Sequence, residues 1–337
     1  SEICFESETL IFTATKNSFH VSWKDKYNYK RSKIAYIPSE RTIAILPEIE
    51  KLELPNNYLK SFLFEWLNAR KGYARKEIPL LDIGVKYYFS ESARENHIAG
   101  ANNSYDILLS NTSSGLQSIT PLVVISDYLT SQLYKHDYHQ SFEQNELEMK
   151  IDRMLLNDLV FNQIYGKSFA DGEEFEEALK NLNEKIEQHD EIVLKCLANR
   201  NDVRENLFKI QSSNLIIEEP EQNLFPATQK ALIYFFLDCI YRNPMHKLTL
   251  TTHSPYVLYA INNCIMSALV EGKLPEDEKE KLDCIKLKIQ PSDISIYEII
   301  DGDVKCIQQE DGLIGDNFFD AQMQKVMDEF YLMLNHY

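Results

Sequence analysis

The apolar run Leu215–Ile217 ends in two adjacent carboxylates, Glu218 and Glu219, and a second β-rich run over 248–252 ends in His253. Between them, after Pro226, residues 227–242 place Ala231, Ile233, Tyr234, Leu237, Ile240 and Tyr241 mostly on one helical face. Pro226 suits a first helical position and Asn243-Pro244 stops the helix. The pattern predicts strand, helix, strand. Such crossovers are right-handed and return the second strand parallel to the first. Glu219 and His253 are therefore expected at the same end of one sheet, the carboxyl edge where open α/β sheets bind ligands. Ser254 suits an N-cap and Pro255 a first position for a helix over 256–270.

The rest of the chain alternates between strand and helix signals. Thr9–Thr15 and Ser18–Trp23 alternate around Lys16-Asn17 and read as a hairpin, and Lys33–Ile37 reads as a further strand. Residues 57–70 predict a helix and Lys86–Phe89 a strand. In LLSNTSSGLQS (108–118), Ser113, Ser114 and Gly115 precede the apolar run Leu122–Leu129. Hydroxyls and a glycine at a helix start leave backbone N–H groups free to face an anion, although an ordinary N-cap looks the same. Pro121 predicts that a helix opening at Gly115 kinks or restarts.

Residues 131–210 are acidic and helical in composition, with fourteen acids against five basic residues over 141–192. Leu147, Ile151, Leu155 and Leu159 recur every four residues, and Leu179, Leu182, Ile186 and Val193 mark a second helix beyond a break at Asp171-Gly172. An inserted helical hairpin or small bundle is expected. After a charged stretch from 271, β-rich runs (285–289, 294–300, 304–308) surround Asp301-Gly302, a hairpin turn. A helix over 317–334 follows. Its stripe of Phe319, Met323, Val326, Met327, Phe330 and Leu334 reads as core.

Composition narrows the picture. At 337 residues, 44% hydrophobic and 26% charged, the chain forms one large globular domain or two. No apolar run reaches the length of a membrane span, so no membrane partner is expected. The opening SEICFESE does not read as a signal peptide. Six scattered cysteines without metal spacing point to reduced thiols, a cytoplasmic location and no zinc site. A net charge of −17 argues against a surface that coats nucleic acid. Yet between Lys16 and Arg41 seven basic residues (Lys16, Lys24, Lys26, Lys30, Arg31, Lys33, Arg41) face two acids, Asp25 and Glu40, among Trp23, Tyr27 and Tyr29. That stretch suits a DNA backbone or an acidic protein partner equally.

Taken in order, the three motifs resemble the signature, Walker B and switch-histidine elements of ABC-type ATPases, and most of all the SMC-like and OLD-like branch. The resemblance covers about 105–130 and 214–260. It implies a P-loop NTPase-like α/β head with a mainly parallel sheet, a β-rich N-terminal lobe carrying the signature (1–130), a helical insertion (131–210) and a Walker B/switch-histidine lobe (211–337). In that family ATP·Mg²⁺ is sandwiched between heads. The resemblance assigns Glu218 to the metal, Glu219 to the attacking water and His253 to the γ-phosphate. It assigns Ser114, Gly115 and Gln117 to the nucleotide of the opposite head; Ser113 and Leu116 depart from the family's LSGGQ. Phe225 departs at the D-loop position, and Arg41 falls near the Q-loop. The implied partners are a second copy or a higher homo-oligomer, an effector protein and DNA, in phage defence or genome maintenance.

No GxxxxGK[ST] occurs in the chain. The expectation is a P-loop held outside these residues. The alternative is a non-hydrolysing regulatory or scaffold head without one. A third reading, a nuclease using Glu218, Glu219 and Glu221 on a metal, lacks a lysine or further acid spaced to complete it.

Overall fold

A computed structural model of the chain describes residues 2–7, 9–25, 27–46, 48–51, 54–135, 142–170, 172–287, 289–334 and 336–337. Lys26, Asp171 and the side chain of Leu147, all used in the sequence reading, lie outside the described residues. Strands β1 (Glu2–Glu6), β2 (Leu10–Thr15) and β3 (Phe19–Trp23) lead to β4 (Ser32–Ile37) and helix α1 (Tyr58–Ala69). Strands β5 (Ile78–Pro79), β6 (Val85–Ser90), β7 (Glu95–Gly100) and β8 (Asp106–Leu108) follow. Helices α2 (Ser114–Asp127), α3 (Phe142–Leu156), α4 (Asn162–Tyr165), α5 (Glu173–Glu187) and α6 (Glu191–Phe208) come next. The chain continues with β9 (Ser212–Glu218), α7 (Pro226–Tyr241), β10 (Lys247–Thr251), α8 (Pro255–Val270) and the short α9 (Glu276–Lys279). It closes with β11 (Tyr297–Ile300), β12 (Asp303–Cys306) and α10 (Phe318–Leu334).

These elements form two compact units, Ser1–Ile34 with Leu133–Asn214, and Ala35–Gln132 with Leu215–Tyr337. In the first, β1, β2 and β3 make an antiparallel meander whose β2–β3 hairpin pairs Leu10 with Trp23 and Phe12 with Val21, as the alternation predicts. The helical part is a small bundle with its own core of Val160, Phe161, Phe175, Ala178, Leu182 and Val193. The expected four-residue stripe fails at Leu159. A π-helical turn, Asn157–Phe161, inserts a residue and hands the buried face to Val160 and Phe161. Gly172 (φ 130°) precedes α5 and Asp190 caps α6 by accepting from the Ile192 and Val193 amides.

The second unit contains the predicted strand–helix–strand. β9 is central in a parallel sheet of order β10-β9-β4. That sheet has three strands, whereas the β1-β2-β3, β5-β6-β7-β8 and β11-β12 sheets contain antiparallel pairs, so the fold is mixed α/β and its sheet structure is not mainly parallel. Strand β6 buries Val85, Tyr87 and Phe89 on one face, around the Lys86–Phe89 signal.

Helix α2 runs through Pro121 instead of restarting there. Every residue from Ser118 to Ser126 is buried, so packing on all sides holds the helix, and the Thr120 hydroxyl donates to the Leu116 carbonyl at 2.7 Å. Two other expectations change. The run expected as a strand over 285–289 opens instead as a 3₁₀ turn, Asp283–Lys286, with Cys284, Leu287 and Ile289 packed against Cys264 and Ile265 of α8. Only the β11–β12 hairpin remains, with Asp301 (φ 53°) and Gly302 (φ 89°) in its turn. The stripe on α10 is not core: among the described residues of this helix none is buried. Periodicity shows that a face is apolar, not that this chain covers it.

Phe161 meets Phe169, Phe175 and Tyr165 edge-on or tilted at 5.2–5.8 Å in the bundle core. Phe161→Ala is expected to destabilise that unit by about 3–5 kcal/mol in urea unfolding; a loss below about 1 kcal/mol would contradict this packing.

Candidate functional site

Strand β9 ends at Glu218, and the next residue turns out of the sheet with an unusual backbone. Glu219 has φ 42°, left-handed and unfavourable for a side-chain-bearing residue. Its neighbours hold it there. The Glu219 amide donates to the Thr251 carbonyl at the end of β10 (2.9 Å), and its own carbonyl accepts from the Gln222 amide (3.1 Å) and the Arg41 guanidinium (2.8 Å).

This turn brings the two strand tips together. Glu219 Oε1 lies 3.6 Å from His253 Nε2, close but too long for a hydrogen bond. Glu219 Oε2 accepts from the Gln222 side-chain amide at 3.3 Å. Glu221 Oε1 accepts the His253 backbone N–H at 2.6 Å, so the acid two residues on sets where the imidazole is carried. Ser254 caps α8 through the Tyr256 amide and donates to Gln229 of α7 at 2.5 Å, fixing the other side of His253. The His253 side chain is 85% exposed, and the site is an open edge. A separate open cleft of about 1210 Å³ beside Lys76, Asp127 and Lys230 is lined by other residues.

Glu218 has a different environment. Its carboxylate accepts from the Tyr36 phenol at the end of neighbouring β4. Burial, then the Glu218 hydrogen bond and charge, then Glu40, push the Tyr36 phenol well above its usual range, so it stays a donor. Its ring meets Tyr58 edge-on at 5.7 Å, and Tyr58 donates to Glu40 at 3.3 Å.

Arg41 organises the whole edge. It is fully buried. Nε donates to the Ser118 hydroxyl and carbonyl on α2 (3.1 and 3.3 Å), Nη1 to the carbonyls of Glu218 and Pro38 (3.0 and 3.3 Å), and Nη2 to that of Glu219. Burial pulls its pKa down to about 10, opposed by the nearby Glu221 and Glu219, so it remains charged at neutral pH.

The start of α2 reaches the same loop at Gly115, where a Cβ would lie 3.0 Å from the Asn223 carbonyl oxygen. A side chain there would press on that backbone oxygen, so packing alone favours a glycine. Ser113 caps the helix through the Leu116 amide, and Ser114 is exposed on the first turn. Gln117 turns back, its amide donating to the carbonyls of Ser110 (3.0 Å) and Thr112 (3.1 Å). Among the sequence candidates, Glu218, Glu219 and His253 share one edge; Gly115 touches the loop behind it, while Ser114 and Gln117 have no recorded hydrogen bond to the acids or the imidazole. Tyr36, Glu221 and Gln222 were not assigned these supporting roles from sequence, and Glu221 stood one residue beyond Pro220 in the same motif.

Among the described residues no three His, Cys, Asp or Glu side chains form a ready metal cage. Two neighbouring carboxylates suit a hard cation such as Mg²⁺ that keeps its waters and shares phosphate ligands. No protein-family model matches the chain, and no curated protein matches it.

Arg41→Met strands the Glu218 and Glu219 carbonyls and is expected to cost about 3 kcal/mol or more in urea unfolding. Arg41→Lys should recover only part, since one ammonium cannot span those acceptors; equal stability of the lysine variant and wild type would contradict the network.

Proposed function

We propose that the chain is the greater part of an ABC/SMC-like ATPase head with a P-loop NTPase-like fold, whose P-loop is supplied from outside these residues. In this reading Glu219 orients the attacking water and His253 contacts the γ-phosphate. Glu218 acts on Mg²⁺ directly or through water. Ser114, Gly115 and Gln117, at the start of α2, face the ATP of a second head. The observation that carries the reading is the 3.6 Å approach of Glu219 to His253, each held by backbone hydrogen bonds at the tips of adjacent strands. Phosphoryl transfer draws its rate from positioning and charge neutralisation, which such an edge supplies. The exposure of His253 further favours a site closed by another surface.

The wider role is an ATP-gated dimerising switch in the cytoplasm that passes its state to an effector, with DNA as a further partner, in phage defence or genome maintenance. No helix among the described residues is long and apolar enough to cross a membrane. A second reading, a non-hydrolysing regulatory or scaffold head, is favoured by the lack of any GxxxxGK[ST] in the chain. Retention of both Glu219 and His253 weighs against it. The nuclease reading loses ground because Glu221 Oε1 already binds the His253 amide.

Glu219→Gln, made in the protein complete with its P-loop, should lower ATP turnover by about 10²-fold or more while ATP binding persists, the usual share of a general base. Undiminished turnover would defeat the hydrolytic reading, and tight ATP binding without turnover in the wild type would favour the scaffold.

A further inference from the structure

Helix α10 is seated firmly at its start. Glu298 of β11 accepts the Phe318 amide at 2.6 Å, Asn317 accepts the Asp320 amide at 3.2 Å, and Tyr259 of α8 donates to Asp320. Beyond that anchor its apolar side chains stand in solvent: Met323 is 60% exposed, Val326 62%, Phe330 52% and Met333 64%.

The spacing of this face is specific. Phe319, Met323, Val326, Phe330 and Met333 follow each other at four, three, four and three residues. That is the 3.5-residue repeat of a coiled-coil seam, which is filled by knobs from another helix. Met327 and Leu334 flank the seam with apolar side chains, while Gln324, Lys325 and Asp328 fall on the outer face, where Gln324 donates to Asp328 at 2.7 Å.

We propose that α10 pairs with α10 of a second copy of this chain, through a contact that needs no nucleotide and is separate from the ATP-sandwiched contact above. The area is adequate. The six side chains of Met323, Val326, Met327, Phe330, Met333 and Leu334 are 37–64% exposed. At roughly 200 Å² for a large side chain they offer about 600 Å² per copy, or about 1,200 Å² in the pair, the lower end of stable interfaces. The charge excludes a lipid surface as the occupant: helices lying on membranes carry basic polar faces, whereas α10 has Asp320, Asp328 and Glu329 against Lys325. A two-fold pair requires only this one surface, and it is the commonest form of assembly.

Light scattering on the chain without nucleotide tests this. At about 100 μM, well above the micromolar range of a modest interface, the mass should be that of two 39.3 kDa copies. Val326→Glu with Phe330→Glu should weaken the pair by about 100-fold or more, as loss of central contacts does, with the circular dichroism of the folded chain kept. A single-copy mass for the wild type would overturn the proposal. So would a two-copy mass indifferent to the double substitution, or a monomer that instead binds anionic vesicles. Since ATP is absent throughout, the outcome is independent of whether the chain serves an ATPase.

Discussion

A buried guanidinium underlies the candidate site. Arg41 has no contact with water, so its charge must be met by oxygen atoms that cannot move away. Those atoms belong to Pro38, to Ser118 of α2 and to the carbonyls of Glu218 and Glu219, three parts of the chain far apart in sequence. The fork of a guanidinium can satisfy all of them at once. The strained turn at Glu219 persists because its carbonyl is held by Arg41 and its amide by Thr251. A residue with φ 42° would otherwise relax.

That arrangement also settles the electrostatics. Glu219 and Glu221 lie close enough to Arg41 to favour its charged form, and the same cation offsets their mutual repulsion. Each acid has a different engagement: Glu218 with a phenol, Glu219 with an amide and the imidazole, Glu221 with the backbone of His253. The carboxylate beside the imidazole keeps its side chain over a third exposed. Such an edge is rigid behind and open in front, as suits a ligand that brings its own charge.

Much of this was legible in the sequence wherever local pattern and tertiary structure agree. The strand run into Glu218, the Pro226 helix start and the Ser254-Pro255 cap each appear where the residues indicate. Pro121 misled because the burial of its whole turn outweighs one missing amide hydrogen bond. Leu159 misled because a π turn shifts the face by one residue, which regular spacing cannot reveal. The role of Arg41 was out of reach, since nothing near YIPSER indicates that its partners lie at 118, 218 and 219. Tyr36 was hidden for the same reason, being joined to Glu218 only by strand order.

In the proposed ATPase reading, Arg41 locks an edge whose acid pair and imidazole address one metal-bound phosphate. Its most direct measurement is the anomalous signal of Mn²⁺ in crystals of the P-loop-complete protein grown with a slowly hydrolysed ATP analogue. The expected result is a peak within direct or one-water reach of the Glu218 and Glu219 carboxylates, with His253 beside the terminal phosphate. A metal and nucleotide bound away from this edge, with Glu219 and His253 still in contact, would contradict it.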